Sequence, residues 1–328
     1  MKGTIDLRGW HGYSLRGLGR FIMENLLYLV VRAFLAFIQS LPIRWVARLG
    51  RCGGAIAFWL DARHRRVALK NLTMCFGHEK SPEEIRAIAK ENFRRLGEVY
   101  GCAMKGMVMN DAELLKIFSV KGAEAVRAVD AEGRLVNRVF TGGHFGNFEL
   151  ANRMSALIPG YQAVATYRGI RPPKLDQLVY RMRTVSGNIL VDRRTGAEDL
   201  KRAMAEGGKL LILASDQADR SGGLELPFLG YYAWTTRAPV ILAMRYKCVI
   251  FVPICYRVGL GQWVLEIGEP LRMEENGKRR SVEDLMRDIN AALEAGVRRD
   301  PANWFWVHDR WKTKNRQPPR AVEEAAAE

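Results

Sequence analysis

From about residue 135 to residue 300 the chain alternates between short apolar runs and longer segments of helical spacing, and this alternation most narrows the folds open to it. Strands are expected at 135–140, 162–167, 188–192, 209–215, 249–257 and 263–268, with helices at 173–186, 197–206, 236–246 and 281–298. Repeated strand–helix–strand units build a sheet flanked by helices, so the expected class is α/β. The first 110 residues read differently. Ser81-Pro82-Glu83-Glu84 is a capping box with proline at the first helical position, and Ile85, Ile88, Phe93, Leu96, Val99 and Ala103 carry the helix on to about Lys105. The expected organisation is a helical N-terminal region over 1–110 that includes a membrane-associated helix, an α/β domain over 111–314, and a tail over 315–328. That tail is Pro-rich and then Ala/Glu-rich, a composition expected to be mobile. One stretch conflicts with the scheme: RLVNRVF puts Asn137 and Arg138 inside what should be a buried strand.

Residues 22–39, IMENLLYLVVRAFLAFIQ, hold enough apolar side chains for membrane contact but are interrupted by Glu24, Asn25 and Arg32. A central arginine costs roughly 3 kcal/mol on insertion scales, so crossing the bilayer is permitted and not compelled. On a helix Asn25, Tyr28, Arg32, Ala36 and Gln39 form a narrow polar stripe on a broad apolar surface. A buried core helix is the alternative reading. The following segment, RWVARLGRCGGAIAFWLDARHRR, mixes Trp45 and Trp59 with many arginines, as headgroup-level segments do. No small-residue cleavage site follows the N-terminal run, so the segment is expected to be retained.

Charge points the same way. The formal net charge of +16 calls for a polyanionic partner. Residues 1–70 carry 12 basic and 3 acidic side chains interleaved with apolar runs, the pattern of a segment at an anionic membrane surface. No helix-turn-helix, zinc-finger spacing or aromatic RNA-binding signature is present, which sets nucleic acid aside. Five cysteines, Cys52, Cys75, Cys102, Cys248 and Cys255, form no C-x-x-C pair and read as reduced thiols of a cytosolic compartment.

Residues 141–150, TGGHFGNFEL, place a histidine at the end of an expected strand, with a carboxylate five positions later. In open α/β sheets, ligands bind beyond the carboxyl ends of strands. A helix is expected to start near Asn147, with His144 in the turn, Glu149 in the first helical turn, and a bend at Gly146 to bring the two together. Glu149 would then accept a ring N–H and leave the other nitrogen as a base. The alternative is a strand-end histidine satisfied by a neighbouring carboxylate. His78 and Glu83 share the same separation in a polar loop, so spacing alone decides nothing. No G-x-S-x-G motif or catalytic cysteine accompanies His144, so the nucleophile would be a substrate hydroxyl.

Other residues at strand ends complete the candidate set for substrate binding or oxyanion stabilisation: Arg168, Asn147, Asp216, Gln217 and Arg193. Arg168 closes YQAVATYR and reads as a phosphate or oxyanion contact, or as a salt bridge. Arg193 sits before a helix and reads as a phosphate contact or as part of a solvated charge cluster. Asp216-Gln217-x-Asp219 follows KLLILAS and either orients the site or the acceptor, or makes an Asx-turn. No third hard ligand lies near it, so it is not read as a metal site; no cofactor is expected for the chain. Trp304, Trp306, His308, Arg310 and Trp311 read first as core packing and second as a recognition patch.

The stretch GHFGNFE resembles the H-x4-D/E block of glycerolipid-type acyltransferases, and especially of the bacterial lipid A biosynthesis lauroyl/myristoyl acyltransferases. RRVALKNLTMCFG, the Tyr167-Arg168 pair, ASDQAD, LPFLGYYAWTTRAPVILA and WFWVHDRWK resemble further pieces of that family in order, over roughly residues 20–315. The resemblance implies a glycerolipid acyltransferase-like mixed sheet flanked by helices, in an enzyme on the cytoplasmic face of the inner membrane. It implies acyl transfer from acyl carrier protein, or from acyl-coenzyme A, to a hydroxyl of a phosphorylated glycolipid, with His144 as base and Glu149 as its partner. Arg237 departs from the family, which more often has glycine there. The alternatives are transfer to another glycolipid or a lysophospholipid, and a non-catalytic membrane lipid-binding protein.

Overall fold

The computed structural model describes residues 15–312; the expected tail at 315–328 lies outside them. Four helices come first: α1 (Leu15–Ser40), α2 (Ile43–Leu60), α3 (Ala62–Phe76) and α4 (Pro82–Gly106). The capping box at Ser81 is formed, with Ser81 accepting from the Glu84 N–H and Glu84 from the Ser81 N–H. Helices α2 and α4 cross where neither backbone can carry a side chain. A Cβ on Gly50 or Gly54 would overlap the carbonyls of Gly97 or Phe93, and one on Gly97 would overlap that of Gly50. Arg51 bridges Glu91 and the wholly buried Glu98 at the same crossing.

The chain then enters the α/β part through α5 (Asp111–Leu115), β1 (Phe118–Lys121) and α6 (Ala123–Val126). It continues through β2 (Arg138–Gly142), a 3₁₀ turn at Leu150–Arg153, α7 (Met154–Leu157), β3 (Gln162–Tyr167), α8 (Pro173–Thr184), β4 (Ile189–Asp192), α9 (Ala197–Ala205) and β5 (Lys209–Ala214). A hairpin of β6 (Leu224–Phe228) and β7 (Tyr231–Thr235) precedes α10 (Ala238–Arg245), β8 (Val249–Phe251), β9 (Ile254–Gly259) and β10 (Gln262–Glu266). A small hairpin of β11 (Glu274–Glu275) and β12 (Lys278–Arg279) leads to α11 (Val282–Arg299).

The central sheet has five parallel strands in the order β4-β3-β5-β2-β8. A second, mixed sheet has the order β1-β10-β9. The expected strand at 249–257 is divided between these sheets: Pro253 interrupts the run, so β8 joins the parallel sheet and β9 the mixed one. The conflict at Asn137 and Arg138 resolves through local satisfaction. Asn137 donates to Met204 O and accepts from Lys209 N–H, while the buried Arg138 guanidinium donates to Val126 O at 3.0 Å.

The C-terminal segment packs against the N-terminal helices. Asn71 of α3 donates to the carbonyls of Trp306 and His308, and Asn92 of α4 to those of Ala302 and Trp304. Trp304, Trp306, Trp311 and Arg310 are all buried, which settles the aromatic-basic run as packing. One of its members also enters the site described next.

Candidate active site

Parallel pairing builds the site. Strands β2 and β5 pair in a register that sets Gly142 beside Ala214, and two residues further along each chain come His144 and Asp216. The Asp216 carboxylate is buried and accepts three N–H groups: His144 N at 2.8 Å, His144 Nδ1 at 2.9 Å and Trp304 Nε1 at 2.9 Å. An ionised carboxylate only accepts, so His144 carries its proton on Nδ1 and presents Nε2 from the opposite side of the ring. Gly143 makes this approach possible, since a Cβ there would press on the Phe145 ring and on Asp216. Burial opposes charge on His144, but the attraction of Asp216 and its hydrogen bond outweigh this and raise the imidazole above 6.5. Asp216 is correspondingly lowered despite its own burial.

The C-terminal segment locks this loop in place. Gly146, at φ 48°, donates to Asn303 O at 3.1 Å, Phe145 bridges Trp304, and Asn303 donates to Cys255 O. No regular helix starts at Asn147, contrary to expectation: the segment turns, and the 3₁₀ helix begins at Leu150. Asn147 itself is wholly buried, with its Oδ1 accepting from the Leu150 N–H, so it shapes the turn and is not on a cavity wall.

Glu149 stands elsewhere than expected. Its carboxylate pairs with both Nη2 (2.8 Å) and Nε (3.3 Å) of Arg183 on α8, and the ring N–H of His144 goes to Asp216. Glu149 still favours the protonated imidazole through space, and Arg183 opposes it. The sequence reading did not single out Arg183. It lies inside an ordinary amphipathic helix, 34 residues from its partner, and no local signal marks it.

Two cavities meet at His144. One, of about 250 Å³, is mostly apolar and runs between the sheet and the loop, lined by Phe140, Phe148, Met154, Ala165, Leu190 and Ile212 among others, with Glu149 and Arg183 on its wall. The other, of about 510 Å³, is more polar and is lined by Asp192, Arg193, Arg194, Gln217, Asp219 and Thr236 among others. His144, Thr166, Leu213 and Ala214 belong to both.

The remaining candidates fall around this centre. Arg193 and Gln217 line the polar cavity. Asp192 forms an Asx-turn that accepts from the Arg194 and Thr195 N–H groups, and Asp219 makes a similar turn with Ser221. Arg168 is exposed one residue beyond β3 and lines neither cavity. Arg237 is exposed between two residues of the polar cavity's wall, Thr236 and Ala238. No cluster of three His, Cys, Asp or Glu side chains suited to a metal occurs among the described residues.

The fold and this arrangement define an α/β enzyme with a histidine–aspartate pair at the carboxyl edge of a parallel sheet. The chain belongs to the bacterial lipid A biosynthesis acyltransferase family, whose model matches residues 20–313, and it is therefore an acyltransferase. It is 25% identical over 277 residues to a lipid A biosynthesis palmitoleoyltransferase of Escherichia coli (strain K12), covering 84% of this chain and 87% of that one. It is 28% identical over 291 residues to a lipid A biosynthesis lauroyltransferase of the same strain, covering 84% and 88%. A solved 1-acyl-sn-glycerophosphate acyltransferase, PlsC, from Thermotoga maritima aligns with a TM-score of 0.39 at 12% identity, covering 79% of this chain and 99% of that one.

Proposed function

We propose that the protein transfers a fatty acyl group from an acyl thioester, carried by acyl carrier protein, to a hydroxyl of a phosphorylated lipid A precursor. The observation that carries this reading is the position of His144 at the junction of an apolar and a polar cavity. The acyl chain lies in the first cavity and the acceptor headgroup in the second, where Arg193 and Arg194 meet its phosphate.

His144 Nε2 takes the proton of the acceptor hydroxyl as its oxygen attacks the thioester carbonyl, and Asp216 steadies the imidazolium that forms. Arg183, held by Glu149 on the wall of the apolar cavity, counters the charge developing on the carbonyl oxygen. Collapse of the tetrahedral intermediate returns the proton from His144 to the departing thiolate. The apolar helix α1 supports a place on the inner membrane. The five free cysteines support a reducing, cytoplasmic-facing location.

The test is transfer of labelled acyl chains from acyl carrier protein to a tetra-acylated lipid A precursor by membranes containing wild type, His144→Ala or Asp216→Asn. Transfer by wild type that falls about 10²–10⁴-fold in His144→Ala supports the reading. Wild type that transfers from neither acyl carrier protein nor coenzyme A overturns it.

A further inference from the structure

We infer that α1 lies along one leaflet of the bilayer and does not cross it. The inference rests on the membrane location proposed above and concerns how the chain meets that membrane. By length and composition Phe21–Ser40 is able to cross. Its packing forbids it. Near one end, the Lys174 ammonium of α8 contacts Asn25 Oδ1 and sits 5.9 Å and 5.7 Å from the ring centres of Phe21 and Tyr28. Near the other, Gln39 Nε2 donates to Met104 O of α4 at 3.2 Å, and Lys105 Nζ donates to Gln39 O.

At 1.5 Å per residue, Asn25 and Gln39 are about 21 Å apart along the helix. The body of the protein thus accompanies nearly the whole apolar segment. An upright helix would carry the start of α8, with exposed Arg171 and Lys174, about 20 Å into a hydrocarbon layer about 30 Å thick, where charges are not tolerated unpaired. Beyond Phe21 the sequence offers Arg16 and Arg20, not more apolar length.

Laid flat, the same helix is satisfied on both sides. Its inner side supplies Asn25, Tyr28, Leu35, Ile38 and Gln39 to the protein. Ile22, Leu26, Leu29, Val30, Phe34 and Phe37, each at least half exposed, form a stripe along its outer side. Exposed Arg168, Arg171 and Lys174 flank it around the start of α8, which suits a leaflet of anionic phospholipid. This posture brings the end of β3 and helix α8, which contribute Tyr167 and Arg183 to the apolar cavity, to the lipid surface.

The experiment uses sealed inverted inner-membrane vesicles from cells making full-length Lys2→Cys, labelled with a membrane-impermeant maleimide. The internal reference is Glu132→Cys in a Cys52→Ser background, Glu132 being 64% exposed in the polar turn before β2 and the other four native cysteines being buried. Equal labelling of both thiols before detergent is expected. A second readout is a fluorophore at Leu29→Cys, expected to be quenched more by spin labels high on the acyl chain than by deep ones. Protection of Lys2→Cys until detergent is added, or deepest quenching at Leu29→Cys, overturns the inference while leaving membrane association intact. Failure of wild type to float with vesicles of phosphatidylglycerol and phosphatidylethanolamine overturns membrane association and the inference together. Absent acyl transfer with equal labelling would overturn the proposed reaction alone.

Discussion

Asp216 holds both the ring and the backbone of His144, one oxygen lying 2.9 Å from Nδ1 and the other 2.8 Å from the peptide nitrogen. A buried carboxylate with three N–H partners is fully engaged, so in the proposed reaction its role is to fix the tautomer and orientation of His144. Asp216→Asn is expected to lower kcat by about 10²-fold or more with little change in KM, because a neutral amide stabilises the imidazolium poorly. Steady-state transfer assays on purified enzyme check this.

The pH profile follows from the same pair. His144 is raised above 6.5, and it works as a base only when neutral, so activity should rise with pH along a limb centred above 6.5. Asp216→Asn removes the attraction that raises the ring and should move that limb to lower pH. Glu149→Gln should move it less, because Glu149 acts on the ring through space. For stability the sign is opposite: the raised imidazole favours the folded state below pH 6.5, and this contribution disappears as pH climbs through its folded value. Paired rate and urea-unfolding measurements from pH 5 to 9 separate the two effects.

Glu149 and Arg183 are 14% and 31% exposed, so losing either one strands a partly buried charge. Arg183→Met is expected to cost about 1–3 kcal/mol in stability as well as to reduce kcat. The double variant Glu149→Gln/Arg183→Met should recover part of the stability and none of the activity. Urea midpoints beside transfer rates read both.

Chain-length preference should follow the apolar cavity. Ala165, on β3, lines it, and Ala165→Phe would fill part of its roughly 250 Å³. The expected result is a shift toward shorter acyl donors, with transfer of short chains kept, measured by competition among acyl carrier proteins loaded with different chains.

The crossing of α2 and α4 offers a test of packing alone. Gly97→Ala places a methyl group against the Gly50 carbonyl and should destabilise by about 1–3 kcal/mol or more. Gly53→Ala, one helical position from the contact and with nothing within 4 Å, should be neutral or stabilising by up to about 1 kcal/mol. Thermal unfolding in detergent compares them.

Strands β3, β4 and β5 were legible in the sequence because each is an apolar run bounded by turn residues, and the α4 capping box because its signal is contained in four residues. The partnership of His144 with Asp216 was not, because it depends on which strands are neighbours. Once β2 is aligned with β5, an offset of 72 residues carries Gly142 to Ala214 and His144 to Asp216, so a register hypothesis would have found it. Asn137 and Arg138 misled for a related reason. Their partners, the carbonyls of Met204 and Val126, are supplied by the ends of other elements, and a polar residue in a strand looks wrong until those ends are placed. The short hairpin β6–β7 and strand β1 escaped because pairs of brief strands carry little periodicity.

Among the described residues the two cavities share His144, Thr166, Leu213 and Ala214, and the other wall residues of each line one of the two alone. Mutation at the far wall of either chamber can therefore alter the fit to one substrate while the other is received as before. Under the proposed reaction, a catalyst arranged this way can diverge along two independent axes, donor length and acceptor identity, with its proton-transfer machinery left untouched.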